Sequence, residues 1–132
     1  MKLTHKAFRR AWQAAIALLA LAIVLGSLLP MPVSVGVAGL DKLEHFVAYF
    51  TLMLLCSGIA RPGQLWQYAL ACAALGIAVE LLQAAITETR SAEWGDVLAN
   101  ALGVLAAWAI ARGDRAGWAR RVESLLSRRN GP

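Results

Sequence analysis

The stretch ELLQAAITETRSAEWGDVLAN, residues 80–100, joins two strongly apolar segments through a short polar turn. Glu80 and Gln83 lie near the end of the first segment, and Asp96 and Asn100 lie near the start of the second. An ionisable side chain within a membrane-spanning segment is costly, so it indicates a functional position by default. The stretch therefore predicts two antiparallel helices whose polar residues meet near one membrane face.

The composition is that of a membrane protein. Of the 132 residues, 59% are hydrophobic and 16% are charged, whereas soluble domains have about 45–50% and about 25%. The net charge of +5 would suit nucleic-acid binding. However, the basic residues flank apolar segments at the two termini, as membrane topology requires. We therefore expect a single membrane domain and no nucleic-acid partner.

Four apolar segments, at 11–29, 43–60, 64–86 and 94–111, approach the length of a spanning helix, which needs about 20 residues. The first is longer than the apolar region of a cleaved signal peptide, about 7–15 residues, so we expect it to be retained. Pro30 ends this first segment, and Arg61-Pro62-Gly63 is a compact turn signal. The predicted fold class is an all-α polytopic membrane protein, a four-helix transmembrane bundle.

The termini add an amphipathic tail to this bundle. The chain divides into a basic N-terminal tail at 1–10, the membrane domain at 11–111 and a basic tail at 112–132. In the last part, Trp118, Val122, Leu125 and Leu126 recur at helical spacing among arginines. This pattern predicts an amphipathic helix lying on anionic lipid. A frayed, positively charged tail is the alternative.

The distribution of lysine and arginine predicts the orientation. Of the 13 basic residues, all except Lys42 and Arg90 fall in the two tails or in the 61–63 turn. Positive residues accumulate on the cytoplasmic side. We therefore expect a multi-pass protein of the plasma (inner) membrane with both termini cytoplasmic. The 30–42 and 87–93 connections would lie outside.

This topology brings three polar helix ends together. Asp41, His45 and Tyr49 are spaced by four residues and share one face of the second helix. Small residues at helical spacing continue the faces that carry Glu80 and Asp96, and such residues mark close helix packing in membranes. We expect one outward-opening pocket, with Glu80 within about 2.7–3.2 Å of His45, Asn100 or Arg90.

Each residue of this pocket has a predicted role. Positioned carboxyl and imidazole groups transfer protons, and arginine binds phosphate through paired hydrogen bonds. A divalent metal at Asp41, His45, Glu80 and Asp96 is the weaker hypothesis, because these residues lack a recognised metal-ligand spacing. The sequence leaves the cofactor unknown. The candidate catalytic residues are Glu80, His45 and Asp96, and the candidate ligand-binding residues are Asp41, Lys42, Tyr49, Gln83, Arg90 and Asn100.

These positions and their neighbours form a composite pattern: Asp41-Lys42, His45-Phe46, Tyr49-Phe50, Glu80-Leu81-Leu82-Gln83, Arg90, Asp96, Asn100 and Gly103. The pattern resembles that of VanZ-like membrane proteins over about residues 13–111. The resemblance implies a four-helix membrane protein with an outward-facing polar site at these positions. The family is named for a protein associated with resistance to the glycopeptide teicoplanin, and such drugs act on lipid-linked cell-wall precursor outside the membrane.

Two functions fit these observations, and the sequence does not decide whether the protein is an enzyme. The first is a cell-envelope protein that binds or modifies a lipid-linked envelope component, with membrane lipids as further partners. The second is a non-enzymatic scaffold whose polar cluster only fixes helix packing. Solute transport is a weaker hypothesis, because the sequence does not show the repeated halves with broken helices that are typical of transporters. The sequence is compatible with a homo-oligomer.

Overall fold

The computed structural model describes residues 5–29, 39–86 and 93–129, except for the side chains at 62 and 126–129. Within these ranges every regular element is helical. Two short 3₁₀ turns, Pro62–Gln64 and Gly113–Arg115, connect longer helices. The helices are α1 (His5–Leu28), α2 (Leu40–Ile59), α3 (Leu65–Ile86), α4 (Trp94–Ala111) and α5 (Trp118–Arg129). The predicted all-α fold is confirmed.

Helices α1 to α4 are the four predicted spans. They contain between 18 and 24 residues and are long and apolar enough to cross a membrane. The chain is therefore a multi-pass membrane protein. The predicted bounds of α4 match those observed, but α1 begins at His5 rather than at residue 11. Lys6, Arg9 and Arg10 of the predicted N-terminal tail thus lie within the first helix.

Helix α2 lies at the centre of the bundle, in contact with α1, α3, α4 and α5. Its most extensive contact is with α4. Large apolar side chains such as Leu70, Leu81 and Leu98 are exposed on the outside of the bundle, where lipid would surround them. The core is formed mainly by Tyr49, Leu52, Met53 and Cys56 of α2 and by Val104, Ala107 and Ala111 of α4.

Glycines allow these helices to approach closely. A Cβ atom at Gly103 of α4 would collide with the Phe46 carbonyl oxygen and lie 3.0 Å from the Phe50 backbone nitrogen. A Cβ atom at Gly76 of α3 would lie 3.2 Å from the Asn100 Cβ and 3.3 Å from the Tyr49 Cε1. Small residues that permit backbone contact are typical of membrane helix interfaces. The predicted packing faces of α3 and α4 are buried accordingly.

Helix α5 packs against the C-terminal end of α2. Trp118 Nε1 donates to the Leu54 carbonyl at 3.2 Å, and the Gly117 amide donates to the Ser57 carbonyl at 2.8 Å. Helix ends leave four carbonyl groups without helical partners. The Gly117 amide, directly before α5, satisfies one of them at Ser57, and Trp118 adds a contact one turn earlier in α2, so the tail is a docked helix rather than a frayed one.

A tryptophan pair joins this tail to α1. Trp12 Nε1 donates to the Leu55 carbonyl at 2.8 Å, and the Trp12 and Trp118 rings meet edge to face at 5.3 Å. Further along the same apolar face of α5, Val122 and Leu125 are exposed. The amphipathic tail helix is therefore confirmed, with Trp118 docked on the bundle and the remaining apolar edge exposed.

Replacing Gly103 with alanine tests the close contact between α2 and α4. The added methyl group would force the two backbones apart, and such overpacking costs about 1–3 kcal/mol. Gly26 is the matched control, because it lies within α1 and a Cβ there would meet no atom within 4 Å. Thermal melts in detergent should show a loss for Gly103→Ala and none for Gly26→Ala. Equal melting temperatures would contradict this account.

Candidate functional site

The N-terminal end of α2, the C-terminal end of α3 and the N-terminal end of α4 meet at one end of the bundle, called here the polar end. All the predicted site residues lie here or border it, apart from Arg90, which is outside the described residues. Asp41 is exposed at the rim, whereas Tyr49, Glu80, Gln83 and Asn100 are buried. The predicted convergence of the three helix ends is thus observed.

Lys42 joins the start of α2 to the start of α4. Its Nζ lies 2.9 Å from the Glu93 carboxylate, 3.0 Å from the Asp41 carboxylate and 3.6 Å from Asp96 Oδ1. Gly95 provides the space for this side chain, since a Cβ there would lie 2.6 Å from Lys42 Cε. One ammonium group is therefore surrounded by three carboxylates.

His45 lies between two residues of α4. Its Nδ1 is 3.0 Å from Asn100 Oδ1, and its Nε2 is 3.8 Å from Asp96 Oδ2. Because an amide oxygen only accepts, Nδ1 carries the proton in this arrangement. Asp96 and Asn100 are one helical turn apart, so both face the same ring. An imidazole held between an amide and a carboxylate is positioned for proton transfer.

Glu80 is 3% exposed, and its Oε1 accepts the Glu93 backbone amide at 2.7 Å. Among the described residues Glu80 bonds neither His45 nor Asn100, and the third expected partner, Arg90, lies outside them, so the predicted contact stays a prediction. The start of α4 provides the partner that is observed. The first amides of a helix lack helical partners and carry a partial positive charge, which favours a carboxylate there.

Among the described residues, four buried polar atoms at this end have no hydrogen-bond partner: Tyr49 Oη, Glu80 Oε2, Asp96 Oδ1 and Asn100 Nδ2. Asp96 Oδ1 makes a longer contact, of 3.6 Å, with Lys42. Buried polar groups in proteins almost always have partners. These atoms include both donors and acceptors, so they can bind a polar ligand with mixed hydrogen-bonding groups.

A cleft of about 360 Å³ between α1 and α2 borders this cluster. A typical small-ligand site has about 300–1,000 Å³. Gln83 Nε2 donates to the Ser27 carbonyl at 2.6 Å, which fixes α1 beside the cleft. His45 and Tyr49 therefore belong to both the polar cluster and the cleft wall. The cleft is lined by Ala22, Ile23, Gly26, Ser27, Glu44, His45, Ala48 and Tyr49.

The residues whose positions would suit a metal ion differ from the four that the sequence suggested. Among the described residues, oxygen atoms of Asp41, Glu93 and Asp96 lie within 4.8 Å of one another. Glu80 is turned toward a backbone amide, and so does not join them. Lys42 already supplies the positive charge at this position. A divalent ion could bind the three carboxylates only after Lys42 had moved.

Two acidic residues of the site, Glu93 and Glu44, were not predicted from the sequence. Glu93 bonds Lys42 and also presents its amide to Glu80. Little in the sequence indicates that Glu93 belongs to the site, because an acidic residue just before a helix usually interacts only with the helix dipole. Glu44 lines the cleft beside His45. Only the position of α1 makes Glu44 relevant, and no pattern in α2 alone indicates it.

Four spanning helices with a buried polar cluster at one end define a small polytopic membrane protein with a candidate ligand site. The model of the VanZ/LLP1 family matches residues 2–113. The chain belongs to the VanZ/LLP1 family, and the resemblance noted in the sequence is confirmed. No curated protein and no solved structure matches the chain. The match covers α1 to α4 and ends before α5, so it does not extend to the tail helix.

Replacing Lys42 with methionine tests the charge balance of the site. The three carboxylates would lose their counter-charge, so the melting temperature in detergent should fall. Added Mn²⁺ or Mg²⁺ should then raise the melting temperature of the variant more than that of the unaltered protein, since carboxylate oxygens suit these ions. Lys6→Met, which removes the same charge from an exposed position on α1, is the control. If both variants respond alike, Lys42 has no special role.

Proposed function

We propose that the protein is a VanZ-like integral protein of the plasma membrane that binds or modifies a lipid-linked component of the cell envelope at its polar end. The unpartnered polar atoms of Tyr49, Glu80, Asp96 and Asn100 carry this proposal. Leaving such a group buried and unsatisfied costs about 1–3 kcal/mol. A ligand that supplies hydrogen bonds would offset this cost.

The orientation of the bundle supports an envelope component as the ligand. Arg9, Arg61 and Arg120, together with most of the other basic residues, lie at the end opposite to the polar end. The positive-inside rule then makes both termini cytoplasmic and directs the polar end outward. Lipid-linked cell-wall precursor, on which teicoplanin-type drugs act, is available at that face. A link to glycopeptide resistance belongs to this proposal.

We assign separate roles to the residues of the site. Three carboxylates already surround Lys42, so Lys42 would hold α2 against α4, and the anionic head group would bind Arg90 of the connection between α3 and α4. Arginine binds phosphate in a bidentate manner. His45, oriented by Asn100 and Asp96, would exchange a proton with the ligand, and Glu80 would accept or supply a second one.

The substitution Glu80→Gln tests this site, because it keeps the side-chain volume and removes the charge. In cells lacking the native gene, the variant should reproduce the envelope defect of the deletion, including any change in teicoplanin sensitivity, at a normal membrane level. Asp114→Asn makes the same chemical change at an exposed position near α5 and should complement fully. Full complementation by Glu80→Gln would rule out the site.

A scaffold is the second candidate function, because the same polar residues also join helices. Lys42 bonds Glu93, His45 bonds Asn100, and Gln83 bonds α1. Hydrogen bonds between membrane helices contribute about 0.6 kcal/mol each on average. On this hypothesis the polar end fixes the register of the bundle, and the protein acts through its outer surface on an assembly partner.

Stability and function separate the two candidates. If the protein is a scaffold, Glu80→Gln should lower the free energy of unfolding by about 1–3 kcal/mol. The melting temperature and the membrane level should both fall as a result. Function per molecule should then remain unchanged. If the polar end binds a ligand, function should fall while the melting temperature in detergent stays near that of Asp114→Asn. Measuring both quantities on the same preparations decides between them.

A further inference from the structure

A second cleft, of about 310 Å³, lies at the opposite end of the bundle. It is formed by α1, the turn between α2 and α3, the start of α3, and α5. Three of its lining residues are arginines from three different elements: Arg9 of α1, Arg61 of the turn and Arg120 of α5. We call it the basic cleft.

The charge of the basic cleft is strongly positive. Its acidic residue is Glu123, and the Glu123 carboxylate is occupied at 2.9 Å by His5 Nδ1. In the part of the chain that the structure describes, neither Arg9 nor Arg61 has an acidic partner. Three cations from separate elements therefore converge on a space that holds one already paired carboxylate.

Arg120 is held in place before any ligand arrives. Its Nη2 donates to the Ala60 carbonyl at 3.0 Å. The guanidinium lies over Gly117, where a side chain would collide with it and where the backbone has a φ of 74°. Since a guanidinium has five N–H donors, this contact leaves donors for an anion. A fixed guanidinium loses less entropy on binding.

The chemistry of the cleft selects a phosphate group. Guanidinium groups bind phosphate through paired, charge-assisted hydrogen bonds, and the Gln64 amide and Tyr68 hydroxyl add neutral donors to the lining. The cleft also lies at the ends of spanning helices. The exposed Trp66 lies between the lining residues Gln64 and Tyr68 in the sequence, and tryptophan is enriched at the membrane interface. A phosphate here would come from a lipid head group rather than from solution.

We propose that the basic cleft binds the phosphate head group of an anionic membrane lipid. Basic pockets between membrane helices are known to bind such head groups. The lipid would bridge α1, the α2–α3 turn and α5 through one arginine from each, and so would fasten the tail helix to the bundle. This site is separate from the polar end and does not depend on the function proposed there.

The test uses the full chain in a neutral detergent, titrated with short-chain phosphatidylglycerol or phosphatidylcholine. Binding is read by native mass spectrometry and by the shift in melting temperature. The variant Arg9→Gln with Arg61→Gln removes two cleft charges. Its matched control, Arg10→Gln with Arg121→Gln, removes two charges from α1 and α5 outside the lining. The cleft variant should bind phosphatidylglycerol at least about tenfold more weakly, and the control should bind normally.

Three results would overturn the proposal. Equal losses in the two variants would mean that diffuse surface charge attracts the lipid. Equal binding of phosphatidylcholine would mean that anionic charge is not recognised. Competition by inorganic phosphate or glycerol phosphate at the affinity of phosphatidylglycerol would assign the cleft to a soluble ligand. If the double variant fails to fold, Arg61→Gln with Arg121→Gln as control repeats the comparison at a single exposed position.

Discussion

The close approach of α4 to α2 at Gly103 is the constraint on which the rest of the structure depends. The Phe46 carbonyl occupies the space that a side chain at Gly103 would need. From this contact toward the polar end, His45 meets Asn100 and Lys42 meets Glu93. A wider spacing would separate both pairs. Because lipid provides little apolar driving force between helices, backbone proximity has to supply the packing energy.

The two ends of α2 have opposite electrostatic character, and each is completed by other helices. At the polar end, Lys42 is surrounded by carboxylates and Glu80 accepts an amide from the start of α4. At the other end, the Gly117 amide before α5 donates to the Ser57 carbonyl near the end of α2, and Arg120 of α5 donates to the Ala60 carbonyl just after it. In both cases groups that a helix end leaves without partners are satisfied by another element, as a low-dielectric surrounding requires.

Much of the fold followed from local patterns. The apolar segments predicted four spans, and the bounds of α4 were correct because a proline-free apolar run with polar flanks has few alternatives in lipid. The spacing of Gly76 with Glu80 and of Asn100 with Gly103 correctly indicated buried faces. Helix α1 starts at an earlier residue than predicted, because basic residues that are unfavourable in lipid can still extend a helix beyond the membrane.

The sequence by itself determined the fold class, the family and the burial of Glu80 and Asn100, because hydrophobicity and helical period act locally and lipid permits few other structures. Only the tertiary structure decided the partners. Glu80 bonds a backbone amide at the start of α4, which side-chain identity does not encode. The cleft beside Tyr49 and the basic cleft near Arg61 form between helices that are distant in sequence, so both depend on the distances and angles at which those helices pack. Those distances are set by contacts across the bundle, and no single segment contains them.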